Sequence, residues 1–323
     1  MKILVTGASG FVGQHLLREL TSYNVVGTTH RGRLEKLTAD FPRVTFRTLD
    51  ILDFKAVENL VREIRPDACL HLAGISSVDS FAADTRECFR INTEGWMNLL
   101  ETFRKFSPQS TIVLISSAQV YGNVPAARLP ITENAPLSPE NFYSLSKGTC
   151  EGLAKTYGEN FGMRVLILRP FNHVGPGQST SFVCSSLAKQ IAQIAAGLAE
   201  PVIRAGNLSS RRDFTDVRDI ARAYVLAVSK CKETLPYNIC SGKAVSIQEI
   251  LERLIALGGV KVRVQTESAL KRESDPEISY GSCEKFHRAT GWVPQIPLEK
   301  TLQDTLSYWR EQIRIKGVSN ASL

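Results

Sequence analysis

The sequence of 323 residues contains no apolar run of about 18 residues, which is the length that a helix needs to cross a membrane. The apolar run after Met1 and Lys2 is also too short for a signal peptide. The seven cysteines are widely spaced, with no Cys-x-x-Cys pair and no partnering histidine, which argues against a disulfide framework and a zinc site. We therefore expect a cytoplasmic protein with reduced thiols, no metal and no membrane partner.

Charge is abundant but evenly spread. Lys and Arg outnumber Asp and Glu by 39 to 32, and the formal net charge is +7. Such a balance favours anionic ligands. The basic residues form no long runs interleaved with aromatic side chains, so we do not expect nucleic acid as a partner.

Short β-branched apolar segments alternate with segments of helical periodicity along the first half of the chain. This alternation predicts an α/β fold with a doubly wound parallel sheet of the Rossmann type. The rhythm changes after Pro170, where we predict a smaller mixed α/β region that includes a basic turn at 211–219. We expect residues 1–170 to bind a cofactor, residues 171–323 to bind mainly the substrate, and residues 214–241 to return to the first domain.

A glycine-rich turn follows the first predicted strand, with the sequence Gly7-Ala-Ser-Gly10-Phe11-Val12-Gly13, and a helical pattern begins there. A turn of this kind lets the backbone approach a pyrophosphate, whose charge the helix N-terminus stabilises. We therefore predict that a dinucleotide contacts Gly7, Gly10, Phe11 and Val12. A plain strand-to-helix turn without a ligand is the alternative.

The second predicted strand runs into Thr28-Thr-His-Arg31-Gly-Arg33, with no carboxylate to bind the ribose 2′-hydroxyl of NAD. Arg31 and Arg33 suit a 2′-phosphate, which favours NADPH. Solvated loop arginines are the alternative, under which NADH remains possible. At the ends of the third and fourth strands we predict further cofactor contacts from Asp50, Ile51, Leu72, Ala73 and Gly74, and we interpret His71 as a packed structural residue.

Tyr143 and Lys147 are four residues apart and share one face of a helix predicted over 142–161. An ammonium beside a phenol favours the phenolate and lowers the pKa of the phenol, which suits a proton-transfer catalyst. The preceding segment, which ends at Ser116 and Ser117, is typical of the end of a buried strand, where a hydroxyl can face a site. Tyr-x-x-x-Lys by itself also occurs on solvated helix faces.

Together these motifs resemble the extended short-chain dehydrogenase/reductase family over most of the chain. The matching motifs are the glycine turn, Asp50-Ile51, His71-Leu-Ala-Gly74, Ser117 with Val120-Tyr-Gly122, Tyr143-x-x-x-Lys147 and Arg169-Pro170-Phe-Asn172. The resemblance implies that Ser117 is the catalytic hydroxyl and Tyr143 the acid/base. It also implies that Lys147 holds the nicotinamide ribose and lowers the Tyr143 pKa, and that Pro170 contacts the cofactor. It further implies a homodimer whose interface is formed by the helices over 84–106 and 142–161.

The sugar dehydratases of this family carry Asp-Glu or Ser-Glu directly after the catalytic hydroxyl, whereas this sequence has Ala118-Gln119. An amide does not take up a proton at neutral pH, so the elimination of water lacks its base. The resemblance then implies a 4-keto reductase or a 4-epimerase with tightly bound NAD. A non-catalytic NADP-binding sensor is a further alternative.

The second half of the sequence resembles the branch of the family that uses GDP-hexoses. The resemblance implies reduction of a GDP-linked 4-keto-6-deoxy sugar, GDP-4-keto-6-deoxymannose, to GDP-D-rhamnose, with a longer heptose left open. An arginine clamp is the natural partner for adjacent phosphates, and Arg212 and Arg272 would form it. The alternative is that these two arginines are surface charges. The substrate contacts that we expect are Gln119, Asn172, Phe182, Val183, Asn207, Leu208, Arg212 and Arg272.

Overall fold

A computed structural model describes residues 1–30, 34–76, 81, 83–267 and 276–321, with side chains described up to residue 315. Arg31, Arg33 and Arg272 lie outside the described residues. The predictions made for these three arginines therefore remain predictions.

A seven-stranded parallel sheet forms the larger half of the described chain, in the strand order β10-β6-β5-β4-β1-β2-β3. The chain runs outward from β1 to β3 and then restarts on the other side of β1 with β4, so the order reverses between β1 and β4. In open α/β sheets, ligands bind at the carboxyl ends of the strands at such a reversal. The strands are β1 Lys2–Thr6, β2 Asn24–Thr29, β3 Val44–Thr48, β4 Ala68–His71, β5 Thr111–Ile115, β6 Arg164–Pro170 and β10 Pro236–Ile239.

Helices cover both faces of this sheet because alternate strand residues point to opposite sides. Within β1, Ile3 and Val5 enter one apolar core, and Leu4 enters the other. The first core is closed by α1 Phe11–Glu19, α2 Leu34–Asp40 and α7 Val217–Lys230, and the second by α3 Phe54–Ile64, α4 Thr85–Phe106 and α5 Phe142–Phe161. The predicted doubly wound Rossmann-type fold is confirmed.

A smaller mixed region follows β6. Three helices pack around a third apolar core: α6 Val183–Ala195, α8 Ile247–Gly258 and α10 Leu298–Ala321. Its strands are β7 Asn172–Val174, β8 Val202–Ala205, β9 Arg211–Asp216, β11 Ala244–Ser246, β12 Arg263–Thr266 and β13 Ile278–Ser279, and the short helix α9 spans Glu284–Thr290. β9 pairs with β7, β11 and β13, whereas β8 pairs with β12.

The basic turn predicted at 211–219 is wrong, because the segment forms β9 and the start of α7. Its charges obscured a strand whose buried residue Asp213 holds the neighbouring segments in place. The Asp213 carboxylate accepts hydrogen bonds from the backbone N–H groups of Ser241 (2.7 Å), Gly242 (2.9 Å) and Gly281 (3.4 Å). This carboxylate therefore joins β9 to the turn after β10 and to the segment after β13.

The seven cysteines are free thiols, and all except Cys283 are buried. In the part of the chain that the structure describes, no helix combines the length and the apolar character needed to cross a membrane.

Candidate active site

The glycine turn between β1 and α1 is shaped by close backbone approaches. Gly7 has a φ of +69°, and a side chain there would bring its Cβ to 2.7 Å from the backbone nitrogen of Ala73. A Cβ on Gly13 would lie 2.6 Å from the carbonyl oxygen of Gly7. Gly10 precedes α1 and has no side chain that could cap the helix. The first N–H groups of α1, at Phe11 and Val12, therefore have no side-chain cap. These features fit a dinucleotide pyrophosphate, because a helix N-terminus with accessible N–H groups stabilises phosphate charge.

The segment after β4 lies alongside this turn. Leu72 donates a backbone hydrogen bond to the Thr6 carbonyl oxygen (3.1 Å), and Ala73 donates one to the Thr6 hydroxyl (3.3 Å). Gly74 has a φ of +150°, and a Cβ there would lie 2.8 Å from Oδ1 of Asn92. The predicted contacts at 72–74 thus come together with the glycine turn at the strand-order reversal.

The predicted contacts after β3 face different surroundings. Asp50 is exposed, and its Oδ1 accepts a hydrogen bond from the backbone of Leu52 (2.9 Å) and lies 3.9 Å from Nδ1 of His30. Ile51 is 6% exposed, and its side chain packs against Gly95 of α4. The Asp50 side chain is therefore exposed to solvent after β3, whereas the Ile51 side chain belongs to the core.

Ser117, Tyr143 and Lys147 lie at the carboxyl ends of β5 and β6. Ser117 follows β5, and Tyr143 stands in the first turn of α5, which Asn141 caps by accepting a hydrogen bond from Ser144 N (2.9 Å). Ser117 and Tyr143 are only 8% and 7% exposed, and they interact through their hydroxyl groups. One turn further along α5, Nζ of Lys147 donates a hydrogen bond to the carbonyl oxygen of Ile115 (2.8 Å).

The Tyr143 pKa differs from the expectation. Burial raises it, and the hydrogen bond with Ser117 acts in the opposite direction without cancelling that increase. The expectation that Lys147 lowers the Tyr143 pKa is therefore wrong. The ammonium of Lys147 makes its hydrogen bond to the Ile115 carbonyl oxygen. Burial also lowers the Lys147 pKa, with Cys150 and Glu151 opposing that decrease. Tyr143 is therefore protonated at neutral pH, which is the form that a proton donor requires.

His71 is a packed, neutral side chain. Its Nδ1 lies 2.7 Å from the Thr6 hydroxyl, and its ring stacks on Trp96 at a centroid distance of 5.2 Å. Burial, with a smaller contribution from the charge of Lys147, lowers its pKa to about 3. The interpretation of His71 as a structural residue is confirmed.

Asn92 of α4 was missed by the sequence analysis. Its side chain is 3% exposed and donates to the Ser146 hydroxyl (3.0 Å) and to the Ile75 carbonyl oxygen (3.1 Å). Its Oδ1 accepts from the Ile75 backbone N–H (2.8 Å). Asn92 thus ties the segment after β4 to the residue next to Lys147. The available signal was an amide on the apolar face of a long helix.

Among the described residues, the predicted substrate contacts other than Gln119 lie on the smaller region. Asn172 begins β7 opposite Phe214 of β9, which stands two residues after Arg212, and the Asn172 amide donates to the Asp213 carbonyl oxygen (3.3 Å). Phe182 is the N-cap residue of α6 and Val183 is its first residue, and the two are 37% and 38% exposed. The structure thereby brings Asn172 and Arg212 onto neighbouring strands.

The remaining predicted contacts lie in short segments around these strands. Asn207 is exposed and accepts hydrogen bonds from the Ser209 backbone and hydroxyl, and Leu208 packs against the third core. Gln119 is exposed in the short 3-10 turn Ala118–Tyr121, and its Oε1 accepts from the Asn141 amide (3.4 Å). Pro170 is buried at the end of β6, opposite Ile239.

Residues 4–305 match the family model described as GDP-mannose 4,6 dehydratase. The chain belongs to this family. It is 35% identical to the GDP-6-deoxy-D-mannose reductase of Pseudomonas aeruginosa, with 97% of this chain and 98% of the relative covered. Among solved structures it is similar to RMD from Pseudomonas aeruginosa complexed with NADPH, with a TM-score of 0.85, 35% identity, and 96% and 99% of the two chains covered. The predicted extended short-chain dehydrogenase/reductase family is thereby confirmed.

More distant relatives catalyse different reactions. The chain is 29% identical to the UDP-glucose 4-epimerase of Azospirillum brasilense, with 99% of this chain and 95% of the relative covered. It is 26% identical to the dTDP-glucose 4,6-dehydratase of Haemophilus influenzae, with 96% and 98% covered. Family membership alone therefore leaves the reaction open among reduction, epimerisation and dehydration.

Proposed function

We propose that this protein is an NADPH-dependent reductase that converts the 4-keto group of GDP-4-keto-6-deoxymannose to the alcohol of GDP-D-rhamnose. The observation that carries this proposal is a buried Ser117–Tyr143 pair, beside Lys147, with the neutral amide Gln119 as its neighbour. The full-length similarity to a GDP-6-deoxy-D-mannose reductase supports the same reaction and nucleotide.

The glycine turn and the segment after β4 are the residues that would hold NADPH. Gly7, Gly10 and the start of α1 would receive the pyrophosphate, because they combine close backbone approach with free N–H donors. Arg31 and Arg33 would pair with the 2′-phosphate, since the end of β2 carries no competing carboxylate. When bound, NADPH supplies the hydride.

Tyr143 supplies the proton. Because burial raises its pKa, the phenol is protonated at neutral pH and donates to the oxygen of the carbonyl as that oxygen gains charge. Ser117 donates a hydrogen bond to the same oxygen, and such preorganised donors are usually the largest catalytic contribution. Lys147 stands one turn further along α5, where its ammonium is fixed to the Ile115 carbonyl oxygen, and it would hold the nicotinamide ribose.

Gln119 separates this activity from dehydration. A 4,6-dehydratase must remove a proton beside the ketone, and an amide does not accept a proton at neutral pH. The amide oxygen of Gln119 instead accepts a hydrogen bond from Asn141, the residue that caps α5. We infer that Gln119 contacts the sugar without acting as a base.

The smaller region would bind the GDP moiety. Arg212 would pair with the pyrophosphate, with Arg272 as a second cation, and Asn172 would contact the sugar near the end of β6. Phe182, Val183, Asn207 and Leu208 would line the nucleotide. The exposed apolar side chains of Phe182 and Val183 suit a nucleobase, because a nucleobase buries apolar surface when it binds.

The test is to mix the purified protein with NADPH and GDP-4-keto-6-deoxymannose, to follow the absorbance of NADPH, and to identify the sugar. We expect stoichiometric oxidation of NADPH and formation of GDP-D-rhamnose. Oxidation with the dTDP or UDP counterpart but not with the GDP sugar would contradict the nucleotide assignment. Purification with bound NAD and interconversion of 4-epimers without added cofactor would identify an epimerase instead.

We further propose that α4 and α5 form a homodimer interface. Met97 of α4 is 42% exposed, and Leu145 and Phe161 of α5 are 43% and 51% exposed. Several exposed apolar side chains on two packed helices are typical of an association surface. Sedimentation should give a dimer that Leu145→Glu together with Phe161→Glu converts to a monomer. A monomeric parent chain would contradict this proposal.

A further inference from the structure

Glu151 is a buried carboxylate directly behind the catalytic residues. It lies one turn after Lys147 and two turns after Tyr143 on α5, so the three side chains share one side of the helix. Its side chain is 4% exposed. A buried charge is costly unless it is paired, so its partners define what it does.

The partner of Glu151 is Arg169 of β6, which is 5% exposed. Nε of Arg169 donates to Oε1 of Glu151 (3.0 Å), and Nη2 donates to Oε2 (2.6 Å). Two parallel hydrogen bonds of this kind fix both distance and orientation. Burial by itself would lower the Arg169 pKa, but the hydrogen bonds that Arg169 donates to Glu151 outweigh it and raise the pKa. Arg169 therefore stays charged.

Hydrogen bonds extend this ion pair to the residue before Ser117 and to the turn after it. The Ser116 hydroxyl donates to Oε1 of Glu151 (2.5 Å), and Nη1 of Arg169 donates to the Tyr121 hydroxyl (2.8 Å). Tyr121 in turn donates to Oδ1 of Asn238 in β10 (2.7 Å). Ser117 is thus held from both sides, at Ser116 and at the 3-10 turn, by one buried network.

We propose that Glu151 is a positioning residue of the catalytic site, which fixes Ser117 relative to Tyr143 through Arg169 and Ser116. Because it stands one turn after Lys147 on α5, its carboxylate also stabilises the ammonium form of Lys147. This inference rests on the proposed reductase function. Replacing a buried ion pair by apolar side chains is often neutral or stabilising, so fold stability alone does not account for its presence. Its placement between α5 and the strand ends that carry the catalytic groups does.

Other ionisable groups face this cluster from the surrounding elements, and they set the background of any titration. His71 of β4 is neutral, because burial lowers its pKa to about 3. Burial raises the pKa of Tyr121 to about 12 and that of the Cys150 thiol to about 11, so both are neutral at pH 7. Glu133 lies near Tyr121, Tyr224 of α7 lies near Tyr143, and the charge of Lys285 interacts with Arg169.

The main test is Glu151→Gln, which keeps the shape of the side chain and removes its charge. Arg169 is then an uncompensated positive charge, and the carboxylate of Glu151 no longer raises the Lys147 pKa, which falls by about one pH unit or more. This pKa is measured without substrate, from the ¹³Cε resonance of Lys147 in lysine-labelled protein, assigned by its loss in Lys147→Arg. In the assay we expect kcat to fall about 10-fold, KM to change little, and the alkaline limb of kcat to move to lower pH.

The matched control is Asp219→Asn. Asp219 of α7 is fully buried, pairs with Arg222 (2.8 Å) and accepts from the backbone of Gln295 (2.8 Å), so its loss also unpairs a buried ion pair. This control should lower the melting temperature and leave the Lys147 titration and the pH profile unchanged. If Glu151→Gln does not fold, Ser116→Ala and Tyr121→Phe retain the ion pair and remove single hydrogen bonds to it. Each should lower kcat about 3-fold without changing KM, and unchanged kcat in both would overturn the proposal.

An unchanged Lys147 titration in folded Glu151→Gln, or a titration that Asp219→Asn shifts equally, would overturn the proposal. The double variant Glu151→Gln with Arg169→Gln should restore the Lys147 pKa toward that of the parent, because both charges are then removed. The resonance needs no substrate. Its outcome therefore stands even if GDP-4-keto-6-deoxymannose is not reduced, which would contradict the proposed function alone.

Discussion

The catalytic half of the candidate site is buried and connected by hydrogen bonds, whereas the substrate half is exposed and built on short strands. Ser117 and Tyr143 are less than a tenth exposed, and Lys147 is fixed to a strand end at 2.8 Å. On the other side, Asn172 and Asn207 are exposed, and Phe182 is 37% exposed. The first half rests on the seven-stranded sheet, and the second on the pairings of β9.

This difference matches how the relatives differ. A reductase, an epimerase and a dehydratase are all similar to this chain over nearly its full length, and they carry different nucleotides in their names. A rigid, buried platform suits chemistry that they share, whereas exposed residues on short segments can change without disturbing the core. We therefore expect substitutions in the catalytic half to change kcat, and substitutions in the substrate half to change KM or nucleotide preference.

The largest effect is expected for Tyr143→Phe, which removes the proton donor and retains the ring. We predict that kcat falls about 10³-fold, the usual range for loss of a general acid, while the affinity for NADPH changes little. Steady-state kinetics and fluorescence titration with NADPH measure the two quantities. Tyr157→Phe, on the same helix but bonded to Glu101, is the control and should retain its turnover. A near-normal kcat in Tyr143→Phe would contradict the assignment of Tyr143 as the proton donor.

Ser117→Ala should have the next largest effect, because it removes a donor to the developing oxyanion. We predict a loss of about 10²-fold in kcat with little change in NADPH binding. Ser117→Thr retains the hydroxyl and should recover most of the activity. Equal activity of the Ala and Thr variants would show that the hydroxyl has no part in turnover.

In the substrate half, Arg212→Gln should raise KM for the GDP sugar about 10-fold or more, since a hydrogen bond to a charged group is lost. Its kcat should remain close to that of the parent. Arg211→Gln is the control, because neighbouring residues of a strand point to opposite faces and Arg211 bonds the Ala244 carbonyl oxygen. A fall in kcat without a rise in KM would assign Arg212 to the catalytic half instead.

The smallest effect is expected for Leu208→Gly, which removes an apolar side chain that we place at the nucleotide. We predict a shift of about 3-fold in the ratio of kcat/KM for GDP and dTDP 4-keto sugars, toward dTDP, because one apolar contact with the nucleotide is lost. Competition between the two substrates in one assay gives the ratio directly. A shift toward GDP would contradict the placement of Leu208 at the nucleotide.

The parts of the site that the sequence predicts are those set by short-range spacing. Tyr143 and Lys147 share a face because they stand four residues apart on one helix, and the glycine turn lies between adjacent elements. The strand β9 escaped prediction because its charged residues are satisfied by segments far along the chain, as when Asp213 binds Ser241 and Gly281. Asn92 and Glu151 escaped for the same reason, since their partners are distant in sequence and only the fold brings them together.

The most direct test of the central assignment uses NADPH that carries deuterium at both C4 positions of the nicotinamide, mixed with GDP-4-keto-6-deoxymannose and the protein. We predict that one deuterium appears at C4 of GDP-D-rhamnose for each NADPH oxidised, as measured by mass spectrometry and NMR of the sugar. Recovery of the 4-keto sugar or of an epimer without deuterium, with NADPH unchanged, would contradict it.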